Sequence, residues 1–374
     1  MSIKVLTQTA YAVYTAAIQS LLTACVQFSR YVAKLSMNST VNESSGSWNC
    51  FTQLNSTAWK IGGTVIYCLF ITVSLAANSL IVMIVYKTPN LRKPINYFIA
   101  NMASSDLLFP IFWTPRNLSR LHTNSFLIGG QLGQAFCKLA PFFGDVSTYV
   151  SIQNLILIAV DRLGAVVFPL RSPLIRSKLC PFFILATWIV AVAVNLPNVF
   201  AREIVESPEG TWCVRKWEKV FGESSSYANL ELACCILFVY IPLLLLVILY
   251  SIILIKLKTQ AHPGEQSTNN QQQRDRRNRN VLQMSIAIIT VFVFCWLPYS
   301  INYLIWYWDT STHFSCSFQQ YLYFTLDMTN AYSAVNPIIC FMFSGNYRKA
   351  LKRLLFFCTG VGRKNVLLAE DVKS

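Results

Sequence analysis

Seven long apolar runs dominate the pattern of this chain. They can be drawn over residues 61–86, 94–113, 136–160, 179–200, 228–255, 281–306 and 319–343, with short polar connections between them. At a rise of about 1.5 Å per residue, each is long enough to cross a bilayer as a helix. A helix closes its own backbone hydrogen bonds, which is what a spanning segment needs in lipid. A barrel would need many alternating segments of about ten residues, and these runs do not alternate. The pattern predicts an all-α membrane protein, a seven-transmembrane helix bundle over 60–343. After Phe343 the stretch SGNYRKALKRLLFFC is amphipathic, which predicts a short interfacial helix at the start of the tail, 344–374. Residues 1–59 make a segment ahead of the bundle.

Composition fits. Of 374 residues 54% are hydrophobic and 13% charged, and the mean hydropathy is +0.44, too apolar for an ordinary soluble protein. The formal charge of +15 is unevenly placed. With the N-terminus extracellular and the C-terminus cytoplasmic, the inner connections and tail hold 20 of the 31 lysines and arginines, the bias that orients a multi-pass protein in the plasma membrane. The charge is then mostly topology and contact with anionic lipid of the bilayer. Nucleic-acid binding is the weaker account, because the bases are split among short loops without a docking module.

Asparagine acceptor triplets at Asn38, Asn42 and Asn55 lie before the first run, and a fourth at Asn117 follows the second. All four fall on the outer side, where glycosylation occurs. Residues 1–36 read either as a weak signal-like stretch or as an extension ahead of a start at Met37.

Polar side chains inside the runs mark sites. Asp106 is an ionisable group near mid-membrane depth, so it is expected to be enclosed, held among Asn78, Ser151 and Asn336 with room for a small cation such as structural sodium. The blander alternative is a hydrogen bond between Asp106 and Asn78. In the third run Cys137 opens the helix and Asp161–Arg162 close it; the only other charges from Phe136 to Val160 are Lys138 and Asp145. Pro197 predicts a local break near the end of the fourth, and Pro298 a kink in the sixth. The polar stretch 257–280 predicts a loop without fixed structure.

Taken together and in order, Asn78, the Asn101–Asp106 run, Cys137, Asp161–Arg162, Trp188, Cys213, Pro242, Tyr250, the CWLP run at Cys295–Pro298 and Asn336–Pro337 resemble the rhodopsin-like G-protein-coupled receptors. The resemblance runs from Asn78 through Cys358. It implies a receptor that binds an extracellular ligand and activates a heterotrimeric G protein, with arrestin and a receptor kinase as further partners. It also implies a disulfide between Cys137 and Cys213. By location Cys50 and Cys316 are the remaining outer pair, and Cys358, at the end of the amphipathic stretch, is a palmitoylation candidate. Arg162, released from Asp161, would reach Tyr250 and the G protein, with Leu170 as an apolar knob in the second inner loop. Ile152, Pro242 and Phe292 resemble the family's packing switch, Leu155 and Ile288 a hydrophobic layer, and Trp296 a sensor beneath the pocket. Outside that context they read as ordinary core.

Two positions depart from the family. Leu163 stands where Asp-Arg-Tyr ends, and Cys340 where NPxxY ends. Cys340 lacks the reach and the phenolic donor of tyrosine. At the foot of the sixth run Asn278 stands where some members carry an acid, which leaves Arg162 with Asp161 as its charged partner.

No enzyme is indicated. The three histidines, His122, His262 and His313, lie in connections without partners at metal spacing, and no phosphate or dinucleotide loop is present. The ligand reading rests on the pocket positions Gly144, Asp145, Trp296, Tyr299, Tyr303, Asp327 and Asn330. Gly144 stands where amine receptors carry aspartate, and Asn330 where opsins carry lysine. Glu203, Glu206, Glu209, Glu223 and Asp309 around the mouth, with Asp145 and Asp327 deeper and Arg202, Arg215, Lys216 and Lys219 partly offsetting them, predict a cationic ligand, such as a peptide with an arginine near an amidated C-terminus. The runs FPLRSP and CWLPYSINYLI resemble neuropeptide receptors of the RFamide, neuropeptide-Y and tachykinin kind. Alternatives are a non-peptide small molecule or lipid, a constitutively active or decoy receptor, and, from a different class, a transporter or scaffold.

Overall fold

Helix α1 (Thr57–Lys87) is the first span. The second joins α2 (Pro94–Asp106) to α3 (Thr114–His122) through a π turn at Phe109–Trp113. The third is α4 (Gly130–Val167) and the fourth α5 (Cys180–Phe200). A hairpin of β1 (Arg202–Ser207) and β2 (Gly210–Arg215) and a short helix α6 (Trp217–Phe221) lead to the fifth span. That span runs from α7 (Tyr227–Cys235) through a second π turn, Ile236–Tyr240, into α8 (Ile241–Gln260). The sixth is α9 (Asn269–Trp308), the seventh α10 (Cys316–Phe343), and α11 (Gly345–Cys358) follows. The computed structural model describes residues 57–122, 129–168, 174–208, 210–260, 269–308 and 316–358.

Local chemistry sets the starts. Pro94 occupies the first turn of α2, where its missing N–H costs nothing. Ser226 caps α7, its hydroxyl accepting from the Asn229 N–H at 3.3 Å. Both π turns accompany prolines, Pro110 within the first and Pro242 just after the second. A proline removes one helical hydrogen bond and crowds the carbonyl four residues back, and a widened turn relieves that crowding.

Five of the described helices, the first, third, fourth, fifth and sixth spans, are each long and apolar enough to cross a membrane alone. The third packs against the second, fourth, fifth and sixth, and the seventh closes the ring against the first and sixth. Apolar helices gain little from meeting one another in lipid, so shape and polar bonds decide the bundle. Large side chains such as Leu185, Ile189, Leu244, Val247 and Ile255 face outward, whereas Ile81, Phe98, Ile152, Leu155, Ile288 and Phe292 fill the interior. Asn101 ties three spans. Its Oδ1 accepts from Trp188 Nε1 at 2.8 Å, and its Nδ2 donates to Asn154 at 3.1 Å and Thr187 at 3.3 Å.

Several boundaries differ from expectation. The third span begins two turns before Cys137 and continues past Arg162 to Val167. The second extends to His122. Pro197 does not break α5, which continues to Phe200. The sixth span starts at Asn269, inside the stretch expected to be a loop. Its Gln- and Arg-rich sequence has good helix propensity but no apolar face to announce it.

Candidate functional site

The outer end is organised by the hairpin. Its register sets Arg202 opposite Arg215 and Ile204 opposite Cys213. Cys213 is disulfide-bonded to Cys137 of the third span. Gln134, one turn earlier, clamps the other strand: its Oε1 accepts from the Ile204 N–H at 2.7 Å and its Nε2 donates to the Arg202 carbonyl at 3.2 Å. Arg215 lies over the Tyr227 ring, 3.3 Å from its centroid, and Tyr227 donates its hydroxyl to Glu231. Asp145 stands in the field of Glu231, Arg202, Arg215 and Arg116. Arg116 sits over Trp113 at 5.3 Å. Trp113 approaches Gly144 so closely that an added Cβ would lie 3.1 Å from the indole, so the glycine is what admits the ring.

Of the acids expected to face a cationic ligand, two are already engaged by other residues of the chain. Glu203 is held by Lys216 and Lys219, and their hydrogen bonds push its carboxyl below the ordinary range. Asp327 accepts from Tyr67 at 2.6 Å. Glu206 and Glu223 are exposed, and Glu209 and Asp309 lie outside the described residues.

Beneath the hairpin Trp296 meets Tyr299 edge-on at 6.0 Å, Phe109 edge-on at 6.3 Å and Phe292 face-on at 6.2 Å. Asn330 accepts from Thr114 at 2.9 Å. Ile152, Pro242 and Phe292 are buried, and Ile152 and Phe292 share one apolar cluster with Leu155 and Ile288.

At mid-depth Asp106 is buried, accepting from Ser151 at 2.7 Å and from Asn336 at 2.9 Å. Ser105 lies 3.1 Å from Ser151. The Asn336 Oδ1 is buried without a hydrogen bond. A buried carboxylate with hydroxyl and amide oxygens around it, and no cation paired to it among the described residues, suits a small hard cation. Asn78 is not part of this set, which corrects the expected Asn78–Asp106 contact. Its amide donates to Ser74 and to the Ser333 carbonyl, both at 2.9 Å, joining the first and seventh spans.

At the inner end Arg162 is paired with Asp161, and Tyr250 is buried nearby on α8. Cys340 is fully buried on α10 beside Pro337. Helix α11 is pinned by Tyr347, whose hydroxyl donates to Asn96 at 3.2 Å.

Asn117 corrects the glycosylation expectation. It lies inside α3, 6% exposed, with a buried Nδ2, so no glycan could be attached there without unfolding the turn. Asn38, Asn42, Cys50, Asn55 and Leu170 lie outside the described residues. Tyr303 is on α9, Cys316 opens α10 and Cys358 ends α11; their side chains are not described. Sequence reasoning gave no role to Arg116, Tyr67 or Tyr227 and read Arg202 and Arg215 only as offsets to the acids. The arginines' unequal numbers around Asp145 become visible only when the hairpin folds back over α4.

Among the described residues no cluster of three His, Cys or acidic side chains suits a metal. Residues 77–340 match the family described as 7 transmembrane receptor (rhodopsin family). Curated relatives include the QRFP-like peptide receptor of Branchiostoma floridae, 30% identical over 48% of this chain and 47% of the relative. The RYamide receptor of Drosophila melanogaster is 33% identical over 40% of this chain and 32% of its own length. The Substance-K receptor of Rattus norvegicus is 25% identical over 78% and 73%. The chain thus spans half or less of the first two.

Proposed function

The chain belongs to the rhodopsin family of seven-transmembrane receptors, and from that premise we propose that it binds an extracellular peptide beneath the hairpin and activates a heterotrimeric G protein. The observation that carries the reading is the continuity from the hairpin, through Cys137, along α4 to the Asp161–Arg162 pair. The names of its relatives support a peptide as ligand. It is a multi-pass membrane protein of receptor rather than enzyme type.

The helices have two arrangements, and the ligand shifts the population toward the one it binds better. Trp296, stacked on Phe292, receives the ligand from above. Repacking of Ile152, Pro242 and Phe292 passes the change to the inner half, where Arg162 leaves Asp161 and turns toward Tyr250 and the G-protein tail, with Leu170 as an apolar contact. Asp106, Ser151 and the Asn336 Oδ1 would hold sodium, whose charge, when bound, stabilises the resting arrangement. Arrestin and a receptor kinase would use the same inner face, Cys358 would carry a palmitoyl anchor, and Asn38, Asn42 and Asn55 would carry glycans. The test is expression with a promiscuous G-protein reporter and a peptide library: a saturable response to one peptide family is expected, and responses only to non-peptide compounds would overturn the ligand class.

A further inference from the structure

The hairpin sets two arginines, Arg202 and Arg215, directly opposite one another. Like charges facing across a ladder repel. Arg215 shares its strand face with Cys213, two residues away, and Cys213 is bonded to the third span, so that face is turned toward the bundle. The pair cannot move apart easily, because Gln134 and the disulfide clamp both strands. Neither guanidinium makes a hydrogen bond or ion pair with a described residue, and the Nε of each is buried.

Nearby acids do not take up their hydrogen-bonding edges. Glu203 is committed to Lys216 and Lys219. Asp145 and Glu231 both lie in the field of Arg202, and Asp145 in that of Arg215 as well, but among the described residues neither carboxylate forms an ion pair with either guanidinium. Burial, and then the charge of Arg215, push the Arg202 guanidinium below its ordinary range, yet an arginine does not shed its proton to relieve such a position. What remains is a rigid pair of planar donors at the outer end of the third span whose edges no described residue occupies. Planar donors of this kind match a carboxylate, through two parallel charge-assisted bonds.

We infer that Arg202 and Arg215 together receive a carboxylate of the ligand, either an acidic side chain or a free C-terminus. The inference rests on the peptide-receptor reading and reverses the sign of the ligand charge expected from the sequence.

The test uses the full chain in reporter cells and a peptide library made in matched forms, Asp or Glu against Asn or Gln, and free against amidated C-termini. On the unaltered receptor, neutralising the one critical carboxylate should cut potency about 10- to 100-fold, the worth of a charge-assisted bond. On Arg202→Gln the acid and neutral forms should become nearly equipotent, with Arg202→Lys restoring part of the difference. A fully potent peptide without a carboxylate, or an acid-to-amide loss of equal size in Arg202→Gln, overturns the inference while leaving the peptide reading intact. If only a non-peptide carboxylic acid activates, and does so through these arginines, the peptide reading fails and this assignment stands. A ligand-free measurement decides independently. Removing a like charge by Arg202→Gln or Arg215→Gln should raise the melting temperature of the purified receptor by about 1–3 °C; a fall in both variants would make the arginines structural and end the proposal.

Discussion

Tyr67 in the first span donates to Asp327 in the seventh at 2.6 Å. The bond joins the two ends of the ring of helices, and it occupies one oxygen of a carboxylate that the sequence alone offers to a ligand cation. Interhelical polar bonds in membranes are worth about 0.6 kcal/mol on average and up to about 1.7. Tyr67→Phe is therefore expected to lower the apparent melting temperature by roughly 2–4 °C, with agonist potency changed less than threefold. A large potency loss without a change in melting would place Asp327 in direct contact with ligand.

The inner pair gives a second prediction. Among the described residues, Arg162 has its ion-pair partner in Asp161 alone. Asp161→Asn should raise ligand-free signalling, whereas Arg162→Ala should keep surface expression and lose most of the response. Cell-surface labelling alongside the reporter separates the two effects, and an unchanged response in Arg162→Ala would contradict its role.

Cys340 supplies a third. Restoring the family's tyrosine by Cys340→Tyr would force a ring into a position with 0% exposure. Overpacking of a filled core costs about 1–3 kcal/mol, so surface expression should fall. Higher signalling at unchanged expression would show instead that the surrounding helices yield to the phenol.

Glycan occupancy is a simple check on burial. Asn117→Gln should leave the gel mobility of the mature protein unchanged before and after glycosidase treatment, because the Asn117 Nδ2 is buried within α3. A mobility shift would mean that α3 is open when the glycan is added.

The hairpin should also respond to acid, and the sign follows from Glu203. Its carboxyl is held below the ordinary range by hydrogen bonds from Lys216 and Lys219. A depressed carboxylate contributes stability that is complete above its unfolded value and is lost as the pH falls through the folded one. Amide exchange at Ile204 and Val205, corrected for intrinsic rates, should stay protected from about pH 8 to 5 and rise only below the ordinary carboxylate range. Loss of protection between about pH 7 and 5 would assign the hairpin's stability to some other group.

The seven crossings and the polar positions within them were legible because lipid punishes every exposed backbone group, and the chain must advertise its solution in long apolar runs. The Cys137–Cys213 bond followed from resemblance, since twelve cysteines alone leave many pairings open. What the sequence hid was tertiary. Asn78 and Asp106 look like partners along the chain, but rotation of α1 turns Asn78 toward Ser333. Residues from Asn269 carry no apolar stripe, so a helix there has no signature beyond propensity. Around the mouth the offsetting lysines are legible by loop, but that both converge on Glu203 is a product of the fold.

The third span is also a lever with an unusual joint. It is riveted to the outer lid at Cys137, and Pro141, four residues on, has no N–H to return to the Cys137 carbonyl. The rod is therefore loosest immediately below its rivet and continuous from there to Arg162, about 30 Å further along. A tug on the lid can tilt or roll the whole shaft without first having to break a rung of its hydrogen-bond ladder.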